Sequence, residues 1–355
     1  MWLLYSEGLG TGEGLVETMR FATLIVEQLD RAVTEIAVDH PLNARIALIL
    51  IDNAAELIIH RRCEHLARAD QRRGTPTLTA TKRRSVLGHY FAEKIKFLEK
   101  SSALSAEERH FIGELHNHRN TLYHVGLEND DIIRALATAY FQLTCDLLVR
   151  LDNRTLGWPK NLVIATSLHQ YFPEAAKGLR FPGFDTEHVA KELIGRVPTD
   201  APALPAALSQ HSMAAVDRLE AMFESIKLGL DRKNDPDDTF RQLQHDMDFQ
   251  IIVRERMRQA GREDDFVPFG HPTLRELAEK LMPDWKPRYR SRPFAKWRTR
   301  AKSIATCVDA LSAVRKFTDL RAEMAYLVEA VEDAAETFWG WVQQEEDAAQ
   351  DGRGR

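Results

Sequence analysis

Cysteine is scarce: Cys63, Cys145 and Cys307 are the only ones in 355 residues, and none falls in a Cys-x-x-Cys spacing. That excludes a disulfide framework and a thiolate metal site, and fits a reducing compartment in which thiols serve as small buried apolar groups. Long apolar runs are missing too. The longest, Ile46 to Ile51, stops at Asp52, far short of the roughly 20 residues a membrane-spanning helix needs. The start, Met1-Trp2-Leu3-Leu4-Tyr5, is apolar but lacks a basic leader, and Ser6 and Glu7 follow at once. A cytoplasmic protein with no membrane partner is the expectation. Basic charge is not in excess either: the formal net charge is -5, so any nucleic-acid contact must come from local patches. There is no Gly-rich phosphate loop, no nucleophile elbow, no zinc-like ligand spacing and no usual paired-carboxylate signature, so neither a metal nor a cofactor is expected.

What the chain does have is helical periodicity. With 44% hydrophobic and 28% charged residues it has ample material for a core, and its breaks favour two domains. Leu15, Met19, Ala22, Val26, Leu29, Val33 and Ile36 recur at three and four, predicting a helix from Gly14 to Ala37 ended by Asp39-His40-Pro41. A longer helix follows from Pro41 to about Arg73, greasy over much of its circumference and therefore central. A third runs through Leu87, Phe91, Ile95 and Leu98 until Ser101-Ser102-Ala103-Leu104. Ser105, with Glu108 three residues on, forms a capping box that opens a fourth. A fifth begins near Asp131 with Ile133, Leu136, Tyr140, Leu143, Leu147 and Leu151 on its buried face.

The fourth helix has two unlike faces. Phe111, Leu115, His118, Leu122 and Val125 make a seam that is apolar except for His118, which reads as a hydrogen-bonded core residue. His116, Arg119, Asn120, Tyr123 and His124 share the opposite stripe. A solvated stripe is usually written in Glu, Lys and Gln, so this one reads as a pocket wall. His116 and His118, two apart, do not face each other and make no metal pair. On the central helix, Asp52 and Glu56 lie one turn apart among apolar residues and need cationic partners. Two readings stay open: they meet the Arg119 pocket and orient its groups, or they form a surface ladder with Arg45 and His60.

The chain divides on these signals into a helical domain, 1–153, a Pro- and Gly-broken connector, 154–204, and a helical C-terminal domain, 205–355. The last contains helices at about Pro205–Leu230 and Asp237–Ala260, a basic-aromatic segment, 285–302, and a long helix, 301–344. That helix carries Ala310, Ala313, Phe317, Leu320, Met324, Leu327, Val331, Ala334, Phe338 and Trp341 as a seam. The seam either joins two chains or packs within its own domain. In the basic segment, Lys286, Arg288, Arg290, Arg292, Lys296, Trp297, Arg298 and Arg300 suit a phosphate backbone with bases stacking on rings. The alternative is that it docks on the protein's own acidic stretches, Asp235 to Asp238 or Glu345 to Asp351.

An Arg, a polar residue and then a His at this interval, on the fourth helix of a small all-helical domain, resembles the HEPN superfamily of nucleotide- and RNA-binding domains. Arg119-Asn120 and His124 carry the resemblance, with Leu115 and the upstream run Leu50-Ile51-Asp52-Asn53-Ala54-Ala55-Glu56-Leu57, over roughly residues 12–153. Arg84 with His89, Arg83 with His89, and Arg109 with His116 meet the same interval, and only Arg119 has the helical context. The Tyr that some members carry two residues after the His is replaced by Gly126.

The resemblance, which does not extend to the second half, implies a HEPN-like five-helix bundle; with the helical periodicity beyond it, the expected fold is all-α, that bundle followed by a second, mostly helical domain. The resemblance also implies a metal-independent endoribonuclease working as a homodimer, a toxin or antiviral-defence effector with RNA as substrate and an antitoxin or regulatory protein as partner. His124 would move a proton at the ribose 2'-hydroxyl, Arg119 would hold the phosphate, and Asn120 would steady His124 or a phosphate oxygen. His116 would be a second proton carrier or a surface histidine, with Tyr123, Asp52 and Glu56 in support. A non-catalytic RNA- or nucleotide-binding module, or a helical adaptor, is the alternative.

Overall fold

The computed structural model describes residues 12–124, 130–151, 166–172, 185–200, 202–230, 235–259, 261, 282 and 284–353. The side chains of 12–19 and 120–124 are among those outside the description. The described residues are helical with no strand, in the order α1 (Gly12–Ala37), α2 (Pro41–Gln71), α3 (Ala80–Leu87), α4 (Phe91–Lys100), α5 (Ala106–His124), α6 (Asp130–Leu151), α7 (Thr186–Gly195), α8 (Leu204–Leu230), α9 (Pro236–Gln259), α10 (Phe294–Ile304) and α11 (Ala310–Arg353). The chain forms two compact units. One comprises residues 1–207 with 308–315, the other 208–307 with 316–355.

The first unit is built on α2. Ala44, Ala47, Leu48, Ile51, Ala54, Ala55, Ile58, Ile59 and Cys63 are all buried, and so many small residues let neighbouring backbones come close on several sides. Accordingly α2 packs most extensively against α6 and α1, and also against α4 and α5. Pro41 opens it, and His40 caps it by accepting from Leu42 N at 3.2 Å. At its end, buried Asp70 accepts from Thr77 N and Leu78 N at 2.9 Å each and from the Thr77 hydroxyl at 2.6 Å, which ties down the turn into α3. These bonds hold its carboxyl at about 2.

The single third helix read from the sequence is two helices, broken at Gly88. A Cβ there would lie 3.0 Å from the Arg84 carbonyl oxygen, and the chain extends before Phe91 restarts the helix. The expected fourth helix is therefore α5. Its capping box is formed in both directions, Ser105 N donating to Glu108 at 2.8 Å and Glu108 N to the Ser105 hydroxyl at 3.1 Å. α6 is apolar and long enough to pass for a membrane span by composition, but 72% of that window is buried in the protein, so it is a core helix.

The described parts of the expected connector pack onto this unit. Asp30 on α1 accepts from the Tyr171 hydroxyl at 2.6 Å and pairs with Arg196, while Arg134 on α6 bonds the Ile36 carbonyl at 3.1 Å and reaches Asp200 at 3.3 Å.

In the second unit Phe223, Phe240 and Phe294 meet edge to face or tilted around a core that includes Leu219, Trp297, Leu320 and Leu327. The expected helix from Ala301 is likewise two, α10 and α11, separated at Ala305–Asp309. Along α11, Phe317, Leu320, Met324, Leu327 and Val331 are buried within the chain itself. The described part of that seam from Phe317 on is therefore covered within the chain, while Ala310 and Ala313 fall among the residues of the first unit. Phe338 and Trp341 lie outside the described side chains.

Candidate functional site

Four helices of the first unit bring one titratable cluster together. Asp52, on α2, is wholly buried, and an ionised carboxylate in that position requires partners for both oxygens. Oδ1 accepts from the Tyr140 hydroxyl of α6 at 3.0 Å. Oδ2 lies 3.1 Å from His116 Nδ1 and 3.3 Å from Arg119 Nε, both on α5. Glu56, one turn along α2, places Oε1 3.2 Å from the same His116 nitrogen and 3.9 Å from Arg119 Nη2. Phe91, from the start of α4, lies against the imidazole with ring centroids 4.4 Å apart. Lys94, also on α4 and buried, is close enough for its charge to act on Glu56.

The sequence explains this convergence. Asp52 and Glu56 are four apart, His116 and Arg119 three apart, so each pair stacks along one helix face. α2 packs on α4, α5 and α6 alike, and the two faces meet. Of the two readings left open for Asp52 and Glu56, the described contacts are those of the Arg119 pocket. His60 instead lies 3.7 Å from Glu64, one turn away.

The electrostatics follow from geometry. Two carboxylates within 3.2 Å of one imidazole nitrogen require a hydrogen on it, because a lone pair there would face theirs. Hydrogen bonding to Asp52 and then Glu56 pushes His116 up to about 9 against the opposing effect of burial. The Glu56 carboxyl is lowered in turn, chiefly by His116. Tyr140 is held well above its ordinary value by burial first and then by the charge of Asp52, so it stays a neutral donor.

Asp52, Glu56 and His116 offer one ligand atom each within 4.8 Å of one another, close enough for a cation. The protonated imidazole and Arg119 already supply two positive charges to the two carboxylates. We therefore read the set as an internal ion cluster and not as metal ligands. Comparison with protein-family models, curated proteins and solved structures finds no match for this chain. What can be said of the site rests on its own chemistry.

Among the residues singled out in the sequence, Asp52, Glu56, His116 and Arg119 are brought together. The side chains of Asn120, Tyr123 and His124 lie outside the described residues, although the helix itself runs to His124. Tyr140, Phe91 and Lys94 were not foreseen as site residues. For Lys94 a signal was present, since it occupies the buried face of α4 marked by Phe91, Ile95 and Leu98.

The basic segment behaves differently from the expectation that favoured nucleic acid. Trp297, expected to stack on bases, is wholly buried and donates through Nε1 to Glu323 at 3.0 Å. Arg298 pairs with Asp217 at 2.7 Å and also with Glu220, while Lys296 and Arg300 both pair with Glu323. Arg292 reaches Glu224 at 3.4 Å and Asp237 at 3.2 Å, and Arg288 stacks 4.6 Å over the Tyr326 ring. Lys286 and Arg290 are exposed. Arg292, Lys296, Arg298 and Arg300 thus pair with acids of their own unit, and the Asp237 contact falls in one of the two acidic stretches named for that alternative.

Proposed function

We propose that this protein is a helical endoribonuclease of the HEPN type, cutting RNA by attack of a ribose 2'-hydroxyl on the adjacent phosphorus without a metal ion. The observation that carries this reading is the anchoring of Arg119 against the wholly buried Asp52 beside His116. A guanidinium fixed in that way is a preorganised, permanently charged donor for a phosphate and for the charge that grows on it in the transition state. His124, one turn beyond Asn120 on the same helix, supplies the base for the 2'-hydroxyl.

On this reading the active species is a homodimer in which two copies of the Arg119 and His124 motif share one cleft. The chain then acts as a toxin or antiviral-defence effector restrained by an antitoxin or regulatory protein. The test is cleavage of single-stranded RNA with chelator present. Wild type cuts, whereas Arg119→Ala and His124→Ala do not. Retained RNA binding with no cleavage by wild type favours a non-catalytic RNA-binding module instead, and neither binding nor cleavage favours a helical adaptor.

A further inference from the structure

We propose that His116 is the proton donor to the leaving 5'-oxygen, held for that task by Asp52 and Glu56 as positioning carboxylates. This deepens the nuclease reading and rests on it. The geometry divides the two ring nitrogens. Nδ1 is committed to Asp52 Oδ2 and Glu56 Oε1, at 3.1 and 3.2 Å, which leaves Nε2 as the nitrogen whose proton can be transferred. Loss of that proton yields the Nδ1–H tautomer, the one the two carboxylates already hold. The imidazole therefore need not turn between its acidic and spent forms.

The surrounding charges suit the task. Facing His116 are Asp52 and Glu56 from α2 and the Phe91 ring from α4, while Arg119 from its own helix pairs with the same two carboxylates, Lys94 from α4 acts on Glu56, and the neutral Tyr140 hydroxyl from α6 donates to Asp52. With His116 protonated, its charge and that of Arg119 answer the two carboxylates, so a phosphodiester is met by two hydrogen-bond donors whose positions are already fixed. The His116 side chain is 19% exposed, so it is open to a ligand as Asp52 and Tyr140 are not.

The step balances. The base removes the 2'-hydroxyl proton as the 2'-oxygen to phosphorus bond forms. The phosphorus to 5'-oxygen bond breaks, His116 gives its Nε2 proton to that oxygen, and a 2',3'-cyclic phosphate and a 5'-hydroxyl leave. Exchange with water then restores both groups.

The experiment compares single-stranded RNA with the same RNA carrying sulfur in place of the bridging 5'-oxygen at the mapped cut. A thiolate leaves without a proton. We expect His116→Gln to lose about 10²- to 10⁴-fold on the oxygen substrate, the usual worth of a general acid, and to lose far less on the sulfur substrate. In wild type, cleavage of the oxygen substrate should fall as pH rises through about 9. That limb should be absent with sulfur and should move to lower pH in Asp52→Asn. Equal losses on both substrates, or the same alkaline limb on both in wild type, overturn the proposal. The wild-type comparison needs no variant to fold. Failure of wild type to cut either RNA instead removes the nuclease reading, whereas equal losses leave it standing.

Discussion

At the scale of single residues, Asp52 is a wholly buried carboxylate whose three partners come from two other helices, so each of them matters to stability. Tyr140→Phe deletes one donor and leaves Oδ1 buried without it, which should cost about 1–3 kcal/mol. Urea unfolding followed by circular dichroism measures this. His116 contributes a pH-dependent component of stability. Its folded-state value is raised to about 9 from 6.5, so the stabilisation is fully present below about 6.5 and is lost as pH rises through 9. Wild-type unfolding midpoints should therefore decline from neutral pH to about pH 9.5, and His116→Gln should flatten that decline.

At the scale of elements, α5 depends on a reciprocal cap. Ser105→Ala removes the acceptor for Glu108 N and should cost about 1 kcal/mol; a thermal melt reads it out. The sequence made this cap legible, along with the extents of α1, α2, α6 and α8, because a helix buried on one face repeats its apolar residues and its ends need polar caps. The breaks after α3 and α10 were not legible. Gly88 is a single weak punctuation mark inside a continuing apolar period. The turn Ala305–Asp309 contains neither proline nor glycine, and its one local signal is Asp309, which caps α11 by accepting from Ser312 N at 2.8 Å.

Site residues were legible to the degree that they broke a pattern. Asp52 and Glu56 stood out as charges in a greasy helix, and His116 and Arg119 as an unusual stripe. Tyr140 did not, since a tyrosine on an apolar face looks like any core aromatic, and its bond to Asp52 spans 88 residues of sequence.

At the scale of the whole molecule, the second unit's basic segment shows why composition leaves a partner undecided. A stretch rich in Arg and Trp, such as 285–302, looks alike whether it faces RNA or its own fold. Here Trp297 is core, so Trp297→Ala should destabilise the protein by about 3–5 kcal/mol through the cavity it leaves, as denaturant unfolding would report. Arg298→Ala, by contrast, should alter RNA affinity little, because its charge is already met by Asp217 and Glu220; filter binding at matched salt checks this.

The sequence alone determined that the chain is all-helical, that α2 is central, and that a histidine and a guanidinium share a face opposite an apolar seam. Those are consequences of residue spacing along one helix. Only the tertiary structure decided that Asp52 and Glu56 meet His116 and Arg119, and that the arginines near Trp297 are answered from within their own unit. Which of several possible partners a charge finds depends on how helices far apart in sequence pack, and a buried carboxylate or an ion pair is settled by that packing alone.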